Sequence, residues 1–365
     1  MTRVAILGAG NGGCAAAADL GRRGFDIRLW SRSRERLAPL RERGGVEYTG
    51  VLGDGFTPVA VITDDAAEAL DGAALAVLTV PAPAHEAVAA VVGPLLGADA
   101  LLLATPGHTV TVIPSALRRA GVRRPVVGET GTLPYICRMA GPSTVRITVA
   151  ARHLAFAVFP ARETERVRAR VAAIYPAIQP VATVLDTLFL YGNAIHHPPA
   201  TVMNAGRIEA TGGDYYHYHD GISPAVGRLV DRLDEERRAV AAALGVLAPR
   251  FVDHFFRMGY TTEAARDTGL AYEAFHQSEP DRWIEAPPSL AHRFLDEDVP
   301  FGLVPLAELG RFAGVATPGM DHLIHLASVV TGTPYRADGL TLTRMGLAAT
   351  PRDALERVLA EGLPD

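Results

Sequence analysis

The sequence predicts an α/β protein in which a parallel-sheet domain is followed by an α-helical domain. Three observations support this prediction. At residues 4–20 a short apolar strand runs directly into a glycine-rich turn and an alanine-rich helix. Short apolar strands then alternate with helical segments through the first half, which is typical of βαβ units. From about Thr183 the pattern changes to long helices separated by polar turns.

The turn after the first strand has the spacing of a dinucleotide-binding fingerprint. Its first glycine would form the tight turn, its second would let the backbone approach a pyrophosphate, and its third would let the helix pack against the strand. Free N–H groups at the helix start favour an anion. We therefore expect a Rossmann domain that binds NAD(P). The predicted phosphate-binding residues are Gly8, Gly10, Asn11, Gly12 and Gly13.

The remaining elements follow from apolar periodicity and helix-end signals. The further predicted strands are 26–30, 59–62, 75–80, 100–104, 126–127, 144–149 and 154–159. The predicted helices are 84–96, 112–120, 162–173, 223–244, 305–312 and 319–330. We place the domain boundary at residue 182, with a Rossmann domain over 1–182 and an α-helical substrate-binding and catalytic domain over 183–365. No Gly/Ser-rich linker separates them, so we expect close packing around a cleft.

Composition narrows the class of protein. The 365 residues are 48% hydrophobic and 21% charged, with a net charge of −5, which predicts neither nucleic-acid nor membrane binding. Two cysteines, and no apolar run long enough to span a bilayer, predict a cytoplasmic protein in a reducing compartment. The twelve histidines are scattered, without a zinc-binding pattern, so we expect no metal site.

The end of the second strand indicates which dinucleotide is bound. An acidic residue there would accept hydrogen bonds from the ribose 2′-hydroxyl of NAD, but Ser31, Arg32 and Arg34 follow the strand instead. A guanidinium pairs well with a phosphate, so we expect NADP(H) in preference to NAD(H). The alternative is that Arg32 stacks on the adenine of NAD(H) and Arg34 is solvated. Pro81 and the loop 105–108 follow two further strands, where they would border the nicotinamide ribose or form ordinary turns.

Two polar segments of the second half hold candidate catalytic residues. His197 precedes Pro198-Pro199, and we expect the prolines to end or bend the helix and leave His197 at an element end. A histidine there could be a general acid and base, or could be structural. In the second segment, Arg293 would clamp a substrate carboxylate, and one acid of Asp296–Asp298 would orient a histidine. The alternative for these charged residues is a solvated turn.

The whole chain resembles the NAD/NADP-dependent opine dehydrogenases of the octopine/nopaline type. The resemblance rests on the glycine turn and on five further motifs. These motifs are ETGTLPYICR at Glu129–Arg138, NAIHHP at Asn193–Pro198, MNAGRIE at Met203–Glu209, SPAVGRLVDRLDEER at Ser223–Arg237 and RFLDEDVPFGLVP at Arg293–Pro305.

The resemblance implies a reductive condensation. An amino acid or amine adds to a 2-oxo acid, water leaves, and hydride from the nicotinamide reduces the imine to a secondary amine. It implies His197 as proton donor and acceptor, Asp298 as its partner and Arg293 as the carboxylate-binding residue, although the doubled His196-His197 could shift the histidine by one. We also place Asn193 and Asn204 among the substrate-binding residues and expect a possible homodimer; neither substrate is specified.

Two other functions compete with this hypothesis. Related two-domain reductases of simple carbonyls use a lysine as proton donor, and the chain contains no lysine at all. A non-catalytic NADP(H)-binding sensor would bind cofactor without turnover. Two features remain open: Cys137 is an inert buried thiol or lies near the cleft, and the Tyr215–His219 segment forms aromatic packing or lines the amino-acid pocket.

Overall fold

A computed structural model describes residues 2–97 and 99–363. Within these residues the strands are β1 (Arg3–Leu7), β2 (Asp26–Trp30), β3 (Gly45–Gly50), β4 (Gly55–Pro58), β5 (Val61–Thr63), β6 (Leu75–Leu78), β7 (Leu101–Ala104), β8 (Val127–Thr130), β9 (Tyr135–Met139), β10 (Thr144–Ala150), β11 (Leu154–Phe159) and β12 (Ile178–Pro180). The helices of the first half are α1 (Asn11–Arg22), α2 (Arg34–Arg43), α3 (Ala66–Leu70), α4 (His85–Val92), α5 (Val112–Arg119), α6 (Thr164–Ile174) and α7 (Val184–Phe189). The helices of the second half are α8 (Asn193–Val202), α9 (Ala205–Thr211), α10 (Pro224–Ala243), α11 (Phe251–Arg257), α12 (Glu263–Thr268), α13 (Ala271–His276), α14 (Arg293–Asp296), α15 (Val304–Ala313), α16 (Pro318–Thr331), α17 (Tyr335–Asp338) and α18 (Leu355–Glu361). Short 3₁₀ turns lie at Ala82–Ala84, Gly93–Leu95, Ala161–Glu163 and Arg352–Ala354, and a π-helical segment spans Val299–Leu303.

The chain forms two compact units. The first contains residues up to 187 together with those from 353 onward, and the second contains residues 188–352. The sequence-based boundary at 182 lies close to this division, but the assignment of everything up to 365 to the helical domain differs from it. The apolar side of α18 is buried and packs with the turn Ala161–Glu163 of the first unit. Apolar periodicity predicts a buried helix face, yet it does not indicate which surface covers that face.

A mixed eight-stranded sheet organises the first unit. Its strand order is β12-β11-β8-β7-β6-β1-β2-β5, and all neighbours are parallel except β11 and β8. From β1 the chain moves outward to β2 on one side, and β6 pairs on the other side. The order therefore reverses between β1 and β6, and ligands of such folds bind at the carboxyl ends of the strands at this point.

A second sheet, which the sequence did not predict as such, covers α1. Its order is β4-β3-β10-β9, and α1 contacts all four of its strands. The run Ala15–Ala18 of α1 is completely or almost completely buried in a core shared by both sheets. Alanine side chains are short, so they allow a helix to lie closely between two layers of β-structure.

The second unit is built around α10. As predicted, Ser223 caps this helix, since its hydroxyl accepts a hydrogen bond from the Val226 N–H at 3.4 Å. The helix packs against α8, α13, α15 and α16. Its buried Glu236 carboxylate accepts the backbone N–H groups of Gly319 and Met320 at 2.8 and 3.0 Å, which stabilises the start of α16. No helix in the described ranges is long and apolar enough to cross a membrane.

Candidate active site

The glycine turn has the geometry that a bound pyrophosphate requires. Gly8 has a φ of 132°, and a Cβ at this residue would lie 2.8 Å from Thr79 Oγ1. A Cβ on Gly13 would lie 1.7 Å from the Gly8 carbonyl oxygen, so only glycine lets α1 approach β1 this closely. Gly10 is the N-cap of α1 and has no side-chain cap, which leaves N–H groups at the helix start for an anion.

The two residues between these glycines contribute in different ways. The side-chain oxygen of Asn11 accepts a hydrogen bond from the Met139 N–H at 3.0 Å, so this side chain holds β9 in place. A Cβ on Gly12 would lie 2.8 Å from the Leu133 side chain. Close packing therefore accounts for Gly12 and for the Asn11 side chain. Both residues belong to the first turn of α1, so their backbone lies at the helix start.

The residues after β2 and the first turn of α2 carry several arginines, one of which lies beside the glycine turn. Ser31 is buried, and its hydroxyl accepts the Ser33 N–H at 3.2 Å. Arg32 is exposed and has no ion-pair partner among the described residues, whereas Arg34 pairs with Asp64 at 2.6 Å. Arg36, which the sequence analysis did not select, lies with its guanidinium 3.5 Å from the position of a Cβ on Gly10. The cation beside the turn is thus Arg36, four residues after Arg32.

The loops after β6, β7 and β8 lie at the same edge of the sheet. Pro81 is exposed and precedes the 3₁₀ turn at Ala82–Ala84. His108 is buried with a φ of 46°, a left-handed conformation that is uncommon outside glycine. Glu129 is also buried; it accepts hydrogen bonds from the Thr187 hydroxyl and the His108 backbone, while burial raises its pKa to about 8.

His197 lies inside α8, so the prediction that the proline pair would leave it at the end of an element was wrong. Helix α8 continues through Pro198 and Pro199, and the Met203 N–H bonds to the Pro199 carbonyl at 3.0 Å. Nine consecutive residues of α8, Ala194–Val202, are buried. Tertiary packing along the whole helix outweighs the two hydrogen bonds that prolines cannot donate.

A chain of buried hydrogen bonds passes through His197. Its Nδ1 lies 2.7 Å from Asp298 Oδ2, and its Nε2 lies 2.7 Å from the Tyr218 hydroxyl. The other oxygen of Asp298 accepts a hydrogen bond from the Tyr191 hydroxyl. Asp298 is 0% exposed and His197 is 5% exposed. The structure therefore brings together the predicted histidine and carboxylate, which are 101 residues apart in sequence.

Burial dominates the titration of this pair. It raises the pKa of Asp298 to about 7, although the Tyr191 hydrogen bond and the charge of Arg293 lower it. Burial also lowers the pKa of His197 well below its usual range. These hydrogen-bond partners indicate a neutral imidazole in which Nδ1–H donates to Asp298 and Nε2 accepts from Tyr218.

Aromatic rings fix the position of the imidazole. Phe294 stacks on the His197 ring, with centroids 3.9 Å apart and planes 25° apart. His196 packs edge-on against His197 and also contacts Phe275, and its Nδ1 is buried without a hydrogen-bond partner. Because only His197 pairs with the carboxylate, the register of the doubled histidine favours His197.

The other predicted substrate-binding residues differ in whether their polar groups already have partners within the protein. Arg293 pairs with Glu297 at 2.8 Å, yet 54% of its side chain is exposed. Asn193 begins α8, one turn before His197, and its side chain has no hydrogen-bond partner among the described residues. The Asn204 amide donates to the Ala200 and Gly221 carbonyls at 2.8 and 2.9 Å, so both of its donors have structural roles.

Sequence reasoning assigned no role to Glu129, Tyr191 or Arg36, and it considered Tyr218 only as part of the Tyr215–His219 segment, which would form aromatic packing or line the amino-acid pocket. No local signal identifies the tyrosines, because their partners come from distant segments.

Both cysteines are buried free thiols. Cys137 is 2% exposed, and burial raises its pKa to about 11, which describes an inert thiol. Burial likewise raises the pKa of Cys14 to about 12. Within the ranges described, no group of three or more His, Cys, Asp or Glu side chains is arranged to hold a metal ion.

Two family models match the chain. Residues 180–331 match the α-helical domain of NAD/NADP octopine/nopaline dehydrogenases. Residues 3–115 match the N-terminus of NAD-dependent glycerol-3-phosphate dehydrogenases. The sequence is also 32% identical to an opine dehydrogenase of Arthrobacter sp. (strain 1C) over 358 residues, which covers 96% of this chain and 98% of that protein.

Solved structures share the fold over the full length. An octopine dehydrogenase in complex with NADH and agmatine has a TM-score of 0.82 at 19% identity, covering 100% of this chain and 99% of that one. A yersinopine dehydrogenase with NADP⁺ bound has a TM-score of 0.75 at 15% identity, covering 99% and 98%. The two-part architecture described above is therefore that of known dehydrogenases.

Proposed function

The chain belongs to the opine dehydrogenase family of the octopine/nopaline type, and we propose that its buried His197–Asp298 pair performs the acid–base chemistry of the family's reaction. It is an NAD(P)-dependent oxidoreductase that condenses an amino acid or amine with a 2-oxo acid through an imine. The observation that carries the proposal is the 2.7 Å contact between His197 Nδ1 and Asp298 Oδ2. This contact leaves Nε2 as the ring nitrogen for proton transfer.

The proposed acid–base work accompanies formation of the imine. The amine nitrogen attacks the carbonyl carbon, and His197 in its protonated form supplies the proton with which the hydroxyl departs as water. Asp298 fixes the tautomer and stabilises the imidazolium while it exists, as a carboxylate does for a catalytic histidine. Bound nicotinamide supplies the hydride that reduces the imine.

Arg293 is the proposed carboxylate-binding residue. Its ion pair with Glu297 fixes one part of the guanidinium, and more than half of the side chain stays open to solvent. The next residue, Phe294, stacks on His197, so the guanidinium is anchored beside the residue that positions the imidazole. A guanidinium binds a carboxylate through two parallel N–H bonds, which would orient the 2-oxo acid. Asn193 is the second proposed contact, since it shares a face of α8 with His197.

The glycine turn fits a dinucleotide, and we propose that NADP(H) is preferred to NAD(H). Two cations support this preference: Arg32 is exposed without an ion-pair partner among the described residues, and Arg36 lies near Gly10. Ser31 adds a hydroxyl at the end of β2, whereas Arg34 is already neutralised by Asp64. This set supports a phosphate-binding role for Ser31, Arg32 and Arg36.

Further proposals concern the cellular location, the partners and the oligomeric state of the enzyme. We propose a cytoplasmic enzyme on the evidence of its cysteines, because Cys14 and Cys137 are both buried free thiols. A net charge of −5 supports small-molecule substrates over nucleic acid or anionic membranes as partners. A homodimer is also proposed, and size-exclusion chromatography with light scattering tests it directly.

Dependence on both substrates tests the proposed reaction. With NADPH, oxidation is expected to require a 2-oxo acid such as pyruvate or glyoxylate together with an amino acid or amine. His197→Asn and Asp298→Asn are each expected to lower kcat by about 10²–10⁴, the usual contribution of a general acid or base. The rate of NADPH consumption across an amine panel gives the measurement.

The neighbouring histidine provides the matched comparison. His196→Asn removes a buried imidazole of the same helix that has no contact with Asp298, so its activity should stay within about tenfold of the wild type. Rapid oxidation with the oxo acid alone would instead point to a simple carbonyl reductase. Cofactor binding without turnover on any substrate pair would point to a sensor.

A further inference from the structure

The nitrogen that must deliver the proton already has a partner. His197 Nε2 lies 2.7 Å from the Tyr218 hydroxyl, and Nδ1 is held by Asp298. Both ring nitrogens are therefore engaged, and a substrate oxygen cannot bond to Nε2 unless Tyr218 moves away or takes part. Tyr218 and His197 are equally buried, with 5% of each residue exposed.

Tyr218 is not free to swing aside. Its ring stacks on Phe275, with centroids 5.1 Å apart and planes only 2° apart, and it packs edge-on against His196 and His217. His197 is held as firmly by its stack on Phe294. Moving the hydroxyl away would break the ring stack and expose apolar surface.

We propose that the Tyr218 hydroxyl is a catalytic group that relays the proton between His197 Nε2 and the oxygen that leaves the substrate. The inference rests on the proposed acid–base role of His197. A hydroxyl suits this position because it both donates and accepts. It donates to Nε2 when the imidazole is neutral and accepts from Nε2–H when the imidazole is protonated.

The relay step balances. Imidazolium Nε2–H gives its proton to the Tyr218 oxygen while Tyr218 O–H gives its proton to the hydroxyl of the carbinolamine. The C–O bond breaks, its electron pair leaves with the oxygen as water, and the nitrogen lone pair forms the C=N⁺ bond. His197 ends neutral, Tyr218 is unchanged, and no tyrosinate is required as a stable species.

Tyr218→Phe tests the relay, because phenylalanine keeps the ring stack and removes only the hydroxyl. We expect kcat to fall about 10- to 100-fold, less than for loss of His197, since a water molecule can partly replace the hydroxyl. The KM values for amine and oxo acid should change less than threefold. Tyr272→Phe is the matched control: this half-buried tyrosine packs on His276 in the same unit, and its variant should keep wild-type kcat.

A double variant separates a relay from a structural role. If the hydroxyl acts only through His197, Tyr218→Phe should change kcat less than twofold when His197→Asn is already present. An equal loss in both backgrounds, or no loss in the wild-type background, overturns the relay. Full activity of His197→Asn alone would instead overturn the proposed function on which the relay rests.

Discussion

Burial and hydrogen bonding act in opposite directions on the carboxyl of Asp298. Burial favours its neutral form, while the hydrogen bond from Tyr191 and the charge of Arg293 favour the ionised form. The result is a pKa of about 7, close to the working range of an acid–base catalyst.

A second buried carboxyl, Glu129, gives a prediction about stability. Burial raises its pKa from 4.5 to about 8, so between these pH values the folded chain keeps a proton that the unfolded chain has released. Folding stability contributed by this group therefore falls as pH rises from about 4.5 to 8. Glu129→Gln keeps a neutral group of the same shape and should be about 1–4 kcal/mol more stable than wild type at pH 8.

The measurement is urea unfolding at pH 5 and pH 8. The difference between wild type and Glu129→Gln should be largest at pH 8 and small at pH 5. Glu165→Gln changes an exposed acid of α6 and should give no such pH dependence. A Glu129→Gln protein that is less stable at pH 8 would mean that the ionised carboxylate is the form the fold requires.

At the scale of elements, the proposed cofactor preference depends on the residues after β2 and on the first turn of α2. Arg32→Ala and Arg36→Ala should each raise the KM for NADPH about tenfold or more, with less than threefold change for NADH, because a bidentate phosphate contact is lost. Initial rates at saturating substrates give both constants. Arg34→Ala is the control, since Arg34 is paired with Asp64 and should alter neither. Equal effects on both cofactors would mean that the arginines contact the adenine instead of a phosphate.

Elements with strong local signals could be predicted from the sequence. The strands Asp26–Trp30 and Leu154–Phe159 have the predicted bounds, and α10 begins after Ser223 as its cap indicates. Helix α8 could not be predicted, because the proline pair is a local signal that buried packing along the helix overrides. The second sheet was missed for a related reason: β3 and β4 are short, glycine-bounded strands whose pairing depends on α1 beneath them.

The candidate site shows the same limit. His197, Asp298 and Arg293 could be proposed because their motifs resemble those of a known family. The hydrogen bonds of Tyr218 and Tyr191 could not be proposed, because each joins segments that only the fold brings together, 21 and 107 residues apart. Arg36 could not be proposed either, because only the fold brings its guanidinium close to Gly10.

At the scale of the whole molecule, the chain returns to its first unit after completing the second. The dinucleotide-binding unit thus includes the segment from 353 onward, which lies far from the rest of the unit in sequence. Helix α18 buries Leu355 and Leu359, each 4% exposed, and a Cβ built on Gly362 would lie 3.8 Å from the Pro160 ring that follows β11. The stability of the cofactor-binding unit should therefore depend on the last described helix.

Replacing both leucines tests this dependence. Leu355→Ala and Leu359→Ala each remove a buried side chain, which costs about 2–5 kcal/mol, so the double variant should unfold at a lower temperature than wild type. Hydrogen exchange should become faster in β11 and the following turn Ala161–Glu163, while α10 of the second unit stays protected. The double variant Glu356→Ala/Arg357→Ala changes the exposed side of the same helix and should leave both readings unchanged. Faster exchange confined to residues 188–352 would show that this helix supports the second unit, as the sequence alone had suggested.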